Sequence, residues 1–187
     1  MPGIRVNAGT AKGRKLKMVP GEGSRPIMDR VKLALFNIIG PAIRDAVFLD
    51  LFGGTGSVGI EALSRGAASA TFIETDRHAL QIIHANLDAT RLAPKAKVIR
   101  GDALTYLESE PEISFDYIYI APPQYAGVWA KALAQIDAQP QWLNPDGWAI
   151  AQIDPLEYSE QTLQNLVLID QRKYGNTLLC FYERPGE

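Results

Sequence analysis

The sequence predicts an α/β fold, a mostly parallel sheet covered by helices on both faces and preceded by a short β-hairpin. Three observations predict it. From residue 47 onward, short apolar runs alternate with segments whose apolar residues recur at helical spacing. A glycine-rich stretch joins the first apolar run to a helix, and acidic residues stand at the ends of successive strands. Repeated strand–helix units form parallel sheets, which bind ligands at the carboxyl ends of their strands.

The leading segment is predicted to hold a hairpin and a helix. Residues 4–7 and 15–19 are short extended runs joined by a glycine-containing turn. Apolar residues at helical spacing predict a helix over 26–39, where Pro26 suits the first turn and Gly40 ends the segment.

The rest of the chain is predicted to alternate between strands and helices. The helix that follows the glycine-rich stretch runs through Leu63, and Gly66 can cap it. Gly175 lies in the turn of a predicted C-terminal hairpin. The predicted strands are 47–52, 70–74, 97–100, 117–120, 148–153, 166–169 and 177–182. The later predicted helices are 77–87, 103–108 and one containing Trp129, Leu133 and Ile136.

Composition excludes several classes of protein. The 187 residues are 47% hydrophobic and 21% charged, which predicts one folded domain and argues against disorder. A single cysteine, Cys180, excludes a disulfide framework and a cysteine-rich zinc site. Neither a signal peptide nor a segment of bilayer length is apparent. We therefore expect a cytoplasmic protein without a membrane partner.

The charge is distributed unevenly. Residues 1–44 hold nine Lys or Arg and two acidic residues, a net charge of +7, so the remainder carries −9 of the overall −2. A basic leading segment on an acidic body predicts an arm that contacts a polyanion. A solvated basic face is an equally good interpretation of the charges taken alone.

The glycine-rich stretch predicts a nucleotide-type ligand. Gly54, Gly56 and Gly59 match the pattern G-x-G-x-x-G, with a predicted strand before them and a helix after them. Glu74 follows Gly54 by twenty residues and ends the next strand, where a carboxylate can accept from ribose hydroxyls.

The neighbouring acids favour one ligand. Asp50 would place a negative charge near the pyrophosphate of a dinucleotide, whereas it suits a cationic amino-acid group. Asp102 can accept from an adenine amine, although it is also a good N-cap for the next helix. An ammonium, a ribose and an adenine together describe S-adenosyl-L-methionine. The predicted contact residues are Asp50, Phe52, Gly53, Gly54, Thr55, Gly56, Gly59, Glu74, Asp102 and Ala103.

Other chemistries are poorly supported. His78 and His84 are six residues apart, which turns them away from one another on a helix, so no metal site is predicted. The chain lacks a G-x-S-x-G elbow and a phosphate-binding Gly-Lys-Ser/Thr motif. An NAD-type oxidoreductase is favoured by the glycine pattern but disfavoured by Asp50.

Two stretches carry a resemblance to a known family. SRPIMDRVKLALFNIIG, residues 24–40, and DLFGGTGSVGIEALSRGA, residues 50–67, resemble the bacterial 16S ribosomal RNA guanine-N2 methyltransferase family called RsmD. The resemblance implies a Rossmann-like class I methyltransferase fold of seven strands, with the last strand antiparallel. It also implies S-adenosyl-L-methionine as cofactor, S-adenosyl-L-homocysteine as product, and a guanine of the small ribosomal subunit as methyl acceptor.

The chain departs from that family at the end of the fourth strand. The family has Asp-Pro-Pro-Tyr there, whereas this chain has Ala121-Pro122-Pro123-Gln124-Tyr125. Ala121, Pro122, Pro123 and Tyr125 are the predicted catalytic positions. The Pro122 carbonyl can still accept from the target amine and Tyr125 can stack on the base, but the side-chain acceptor is missing. The alternative is a non-catalytic S-adenosylmethionine-binding protein that interacts with RNA or assists ribosome assembly.

The resemblance also gives candidate RNA contacts. Arg25, Arg30 and Asn37 are carried over by their positions in the leading signature, with a polar helix face or an ion pair with Asp29 as alternatives. The basic leading segment provides three further candidate RNA contacts, Arg14, Lys15 and Lys17. We expect a monomer with a basic hairpin extension over 1–24 and a methyltransferase domain over 25–187. Its expected partner is ribosomal RNA within an assembling or complete small subunit.

Overall fold

The computed structural model describes residues 4–19, 29–123 and 126–186. They form two compact units, Met1–Gly101 and Asp102–Glu187. The predicted start of the first helix at residue 26 lies outside the described residues, as do Arg25, Gln124 and Tyr125.

The first unit begins with a short antiparallel hairpin, β1 (Ile4–Arg5) and β2 (Lys15–Leu16). Both strands are shorter than the predicted 4–7 and 15–19. Beyond Leu16, the backbone N–H and carbonyl of Lys17 are bonded to the side chain of Asn86 instead of to a strand.

Helix α1 (Asp29–Ile39) follows and buries one face. Its buried apolar residues are Val31, Leu35, Phe36 and Ile39, which recur at helical spacing as predicted. Gly40 opens a 3₁₀ turn, Gly40–Ile43, so the helix ends where the sequence indicates.

Three parallel strands form the sheet of the first unit, in the order β5-β4-β3. They are β3 (Val47–Asp50), β4 (Ser69–Glu74) and β5 (Ala96–Arg100). Helices α2 (Ser57–Ser64) and α3 (Arg77–Thr90) connect them. The predicted cap at Gly66 is confirmed, because the Gly66 N–H donates to Leu63 and the Ala67 N–H to Ala62, and together they close the last turn of α2.

The second unit continues the alternation and ends in a hairpin. Its helices are α4 (Ala103–Glu108) and α5 (Val128–Ala138). Its strands are β6 (Phe115–Ile120), β7 (Leu143–Ile153), β8 (Val167–Tyr174) and β9 (Thr177–Glu183). β7 begins five residues before its predicted start, because Leu143 pairs with Phe115. A shift in register separates this pair from the next one, Tyr117 with Trp148. β8 extends to Tyr174, beyond its predicted end at 169.

The sheet strands number seven and are ordered β5-β4-β3 in the first unit and β6-β7-β9-β8 in the second. β6 and β7 are parallel, while β9 is antiparallel to both β7 and β8. The predicted class, a mostly parallel seven-stranded sheet with an antiparallel last strand and a leading hairpin, is therefore confirmed. None of the helices in the described ranges is long and apolar enough to cross a membrane.

Gly59 shows how closely α2 packs on the sheet. A Cβ added at this position would lie 2.3 Å from Cε1 of the buried Phe72 on β4. Overpacking of this kind costs about 1–3 kcal/mol, whereas replacing a helical glycine by alanine gains about 1 kcal/mol of helix propensity. We therefore predict that Gly59→Ala lowers the free energy of unfolding, measured by urea denaturation.

Gly101→Ala is the matched control for this substitution. A Cβ at Gly101 meets nothing within 4 Å, and the residue does not adopt a left-handed conformation. Equal stability of the two variants would contradict the proposed packing role of Gly59.

Candidate functional site

The glycine loop, residues 51–56 between β3 and α2, is bonded to the carboxyl end of β4. The Gly53 N–H donates to the Ile73 carbonyl at 2.8 Å, and the Gly54 N–H donates to Oε1 of Glu74 at 2.8 Å. A third bond, from the Gly56 N–H to the Gly53 carbonyl at 2.7 Å, closes the turn. The structure thus brings together the predicted residues of the loop and the predicted acid of the second strand.

Glu74 anchors the loop with one oxygen and the following turn with the other. Its Oε2 accepts from the Asp76 N–H at 2.8 Å. Each carboxylate oxygen has two lone pairs, so Glu74 keeps acceptor capacity for a ligand hydroxyl.

Asp50 is the least satisfied acid of the site. It ends β3 with only 1% of its surface exposed, and its Oδ2 accepts from the Gly59 N–H at 3.1 Å. Among the residues that the structure describes, its Oδ1 has no hydrogen-bond partner. Burial raises the pKa of Asp50 well above its ordinary value, the charge of Glu74 raises it further, and the bond from Gly59 opposes both. A buried acceptor without a donor is costly, so this oxygen fits a cationic hydrogen-bond donor.

The loop presents bare backbone near these acids. Gly54 has a φ of +57°, a conformation that glycine adopts readily, and a Cβ there would meet nothing within 4 Å. Gly56, at φ +80°, is the N-cap of α2. Phe52 and Thr55 are half-buried within the loop. A ligand can therefore approach the main chain at Gly54 without meeting a side chain.

Asn86 is a polar residue of this region that the sequence analysis did not identify. It lies on α3 with 1% of its surface exposed. Its Nδ2 donates to the Thr55 carbonyl of the loop at 2.9 Å and to the Lys17 carbonyl at 3.1 Å. Its Oδ1 accepts from the Lys17 N–H at 2.7 Å. The only signal in the sequence is an asparagine on the same helix face as the apolar Ile83 and Leu87.

Glu61 is a second buried polar residue that the sequence analysis missed. It lies on α2 with 0% exposure and accepts from the backbone N–H groups of Asn7 at 2.8 Å and Ala8 at 3.1 Å. Arg65 Nε donates to it at 2.8 Å, and Lys32 Nζ lies 3.4 Å from Oε1. Burial lowers the pKa of Lys32, while Glu61 and Asp29 act in the opposite direction. This cluster joins the hairpin to both α1 and α2.

The predicted RNA contacts of the described chain are all exposed. Arg14, Lys15 and Lys17 lie on the hairpin, and Arg30 and Asn37 lie on α1. Their exposure is consistent both with contact to a polyanion and with a solvated basic face.

Asp102 caps α4 in the structure. Its Oδ2 accepts from the Thr105 N–H at 2.9 Å and from the Thr105 hydroxyl at 3.2 Å. This is the structural role that the sequence offered as an alternative, and the contact with an adenine amine stays a prediction. Ala103 is buried as the first residue of α4.

The altered stretch follows β6 directly. The strand residues 117–120 are buried, whereas Ala121 and Pro122 are partly exposed and Pro123 is exposed. The Tyr119 hydroxyl donates to Oε1 of Gln152 on β7, which ties the ends of the two strands together. His78 and His84 are exposed, and no cluster of three metal-binding side chains occurs in the described part of the chain.

The chain is similar to known proteins over nearly its whole length. The family model described as "Conserved hypothetical protein 95" matches residues 4–183. "Putative rRNA methyltransferase YlbH" of Bacillus subtilis (strain 168) is 38% identical over 185 residues, which cover 98% of this chain and all of that protein. "Ribosomal RNA small subunit methyltransferase D" of Escherichia coli (strain K12) is 36% identical over 162 residues, covering 87% of this chain and 76% of that protein.

A solved structure agrees with these matches. "Putative methyltransferase yhhF" from Escherichia coli superimposes with a TM-score of 0.87 and 32% sequence identity, and the match covers 100% of both chains.

The raised pKa of Asp50 predicts a pH dependence of stability. Below the ordinary value of 3.8, both the folded and the unfolded chain hold the proton. As the pH rises above that value, the unfolded state ionises first, so this group lowers stability until the pH passes its folded pKa. Asp50→Asn should remove this loss. In urea denaturation over a pH series, the stability of wild type relative to the variant should fall with rising pH, and parallel curves would contradict the assignment.

Proposed function

The chain belongs to the family described as Conserved hypothetical protein 95, the RsmD family of ribosomal RNA methyltransferases, and from that premise we propose its reaction. In this proposal the protein uses S-adenosyl-L-methionine to methylate the exocyclic N2 amine of a guanine in the 16S RNA of the small ribosomal subunit. The observation that carries the proposal is Oδ1 of buried Asp50, which has no hydrogen-bond partner in the described part of the chain and lies beside a glycine loop held by Glu74. Family membership sets aside the NAD-type oxidoreductase.

The residues of the site fit this cofactor. When bound, S-adenosylmethionine supplies an activated methyl group on a sulfonium. Asp50 would accept from its ammonium group, Glu74 from its ribose hydroxyls and Asp102 from its adenine amine. The bare backbone at Gly54 would allow close approach. Thus the three donor groups of the cofactor, its ammonium, ribose hydroxyls and adenine amine, would each have an acceptor near the end of a strand.

The residues after β6 would prepare the methyl acceptor. An exocyclic guanine amine is a poor nucleophile, because its lone pair is delocalised into the ring. The Pro122 carbonyl accepts one N–H and turns the lone pair toward the methyl group, while Tyr125 stacks on the base. The nitrogen–carbon bond forms as the sulfur–carbon bond breaks, leaving S-adenosylhomocysteine, and the methylated amine releases a proton to solvent.

Ala121 slows this reaction without preventing it. A hydrogen bond to a charged group contributes about 1.5–3 kcal/mol, and about 1.4 kcal/mol is a factor of ten in rate. The missing acceptor therefore costs about ten- to a hundredfold in rate. Positioning by the Pro122 carbonyl and the base stack is retained, because a backbone carbonyl does not depend on the type of side chain.

Two substitutions test the proposed reaction in opposite directions. Ala121→Asp should speed methyl transfer, because it restores an acceptor where positive charge develops on the amine. Tyr125→Ala should remove about 1–3 kcal/mol of base stacking and lower turnover, while S-adenosylhomocysteine affinity stays nearly constant. Transfer is measured with small ribosomal subunits from cells that lack this protein, and mass spectrometry of the digested RNA identifies the methylated base.

The same measurement distinguishes the non-catalytic alternative. If wild type methylates no small-subunit preparation, Ala121→Asp restores nothing and the RNA mass is unchanged by the protein in cells, the catalytic proposal fails. Retained binding of S-adenosylhomocysteine and RNA would then favour a role in RNA interaction or ribosome assembly.

The basic residues of the hairpin allow a separate test of RNA binding. If Arg14, Lys15 and Lys17 contact phosphates, changing all three to glutamine should weaken binding. It should also reduce the slope of log K against log salt by about 2–3, since each phosphate contact contributes about 0.7–0.9. Binding of 16S RNA is measured over a salt series.

A matched variant controls for the change in net charge. Lys95, Lys131 and Lys173 are exposed outside the hairpin, and changing them to glutamine removes the same charge. An equal change of slope in both triple variants would mean that the hairpin has no special role in RNA binding.

A further inference from the structure

The side chain of Asn86 joins two segments with different proposed partners. One is the glycine loop, reached through the Thr55 carbonyl at 2.9 Å. The other is the basic hairpin, reached through the carbonyl and the N–H of Lys17 at 3.1 and 2.7 Å. The carboxamide has two N–H donors, and these contacts engage both segments at once. Since Asn86 is buried, water cannot readily replace a lost bond.

A second anchor holds the other side of the hairpin. The Ala11 N–H donates to the Ser64 hydroxyl at 2.9 Å, which in turn donates to the Ala8 carbonyl at 2.7 Å. The Thr10 N–H donates to the Ser64 carbonyl at 2.8 Å. Ser64 belongs to α2, the helix that begins directly after the glycine loop.

The exposed basic stretch therefore lies between two anchors. Residues 12–15, which include Lys12, Arg14 and Lys15, are exposed and separate the contacts with Ser64 from the contacts with Asn86. Both anchors belong to elements that hold or adjoin the glycine loop. The loop and the hairpin are thus connected through hydrogen bonds of Asn86 and, by way of α2, of Ser64.

We propose that Asn86 is a positioning residue that makes cofactor binding at the glycine loop and RNA binding at the basic hairpin mutually favourable. The proposal rests on the proposed function, which assigns those two ligands. A ligand that orders one side of the junction lowers the entropy lost when the second ligand orders the other side. Coupling of this kind is reciprocal, so RNA must raise cofactor affinity by the same factor by which the cofactor raises RNA affinity.

The test measures the S-adenosylhomocysteine Kd by titration calorimetry, with and without saturating 16S RNA transcript. For wild type we expect RNA to tighten cofactor binding about fivefold or more, a typical lower value for coupled sites. Asn86→Ala should bring the ratio close to one, although each ligand still binds alone. Gln81→Ala, an exposed position of the same helix, is the matched control and should keep the wild-type ratio.

A variant-free measurement covers the case in which Asn86→Ala does not fold. Hydrogen exchange on wild type should show that S-adenosylhomocysteine slows exchange of the Lys17 amide, whose N–H donates to Asn86. If Asn86 were purely structural, a folded Asn86→Ala protein would keep the wild-type affinity ratio, and S-adenosylhomocysteine would not slow exchange of the Lys17 amide.

The outcomes separate this inference from the proposed function. A wild-type ratio of one, an unchanged ratio in a folded Asn86→Ala protein, or unchanged exchange at Lys17 would overturn the coupling while both ligands still bind. Failure of wild type to bind S-adenosylhomocysteine at all would overturn the proposed function, and the coupling with it.

Discussion

The first unit depends on one buried carboxylate, that of Glu61. It accepts from two backbone N–H groups of the hairpin and from Arg65, and Lys32 of α1 lies 3.4 Å away. Lys32 is itself fully buried and donates to the Arg5 carbonyl at 2.6 Å. Removing one partner of such a pair leaves an uncompensated buried charge and costs about 3–5 kcal/mol. The hairpin, α1 and α2 therefore assemble as one set of contacts, with the glycine loop directly before α2.

Three buried polar residues around this loop have different degrees of satisfaction. Glu61 meets donors from the hairpin, α1 and α2, and Asn86 bonds the loop and the hairpin at once. Asp50, in contrast, has an oxygen without a partner among the described residues. Glu61 and Asn86 meet their hydrogen-bond partners within the protein, whereas the unmet oxygen of Asp50 lowers stability and supports the proposed role of Asp50 as a cofactor contact.

Much of the framework could be predicted from the sequence, since its signals are local or follow a recognised spacing. The cap at Asp102 depends on a residue three positions away, and the glycine loop and the acid at the end of β4 match the spacing of a nucleotide-binding pattern. Glu61 and Asn86 could not be predicted, because their partners lie 54 and 69 residues away. The hairpin strands were overestimated for the same reason: Lys17 bonds to α3 rather than to a strand, and only the tertiary structure determines that choice.

In the altered stretch after β6, the residue type at position 121 affects the proposed reaction but not the packing of the core. Ala121 follows a buried run but is itself partly exposed, so an aspartate replaced by alanine there removes no core packing. Two prolines after it restrict the backbone and supply no N–H donors, and the Pro122 carbonyl is a main-chain acceptor whatever side chain residue 121 carries. Asp50 differs, because burial penalises its charged carboxylate and raises its pKa well above the ordinary value. The chain therefore retains the costly acid at the proposed cofactor contact and lacks the inexpensive one at the proposed acceptor contact. That combination is expected of a site that keeps cofactor binding and base positioning while its chemical step is slower.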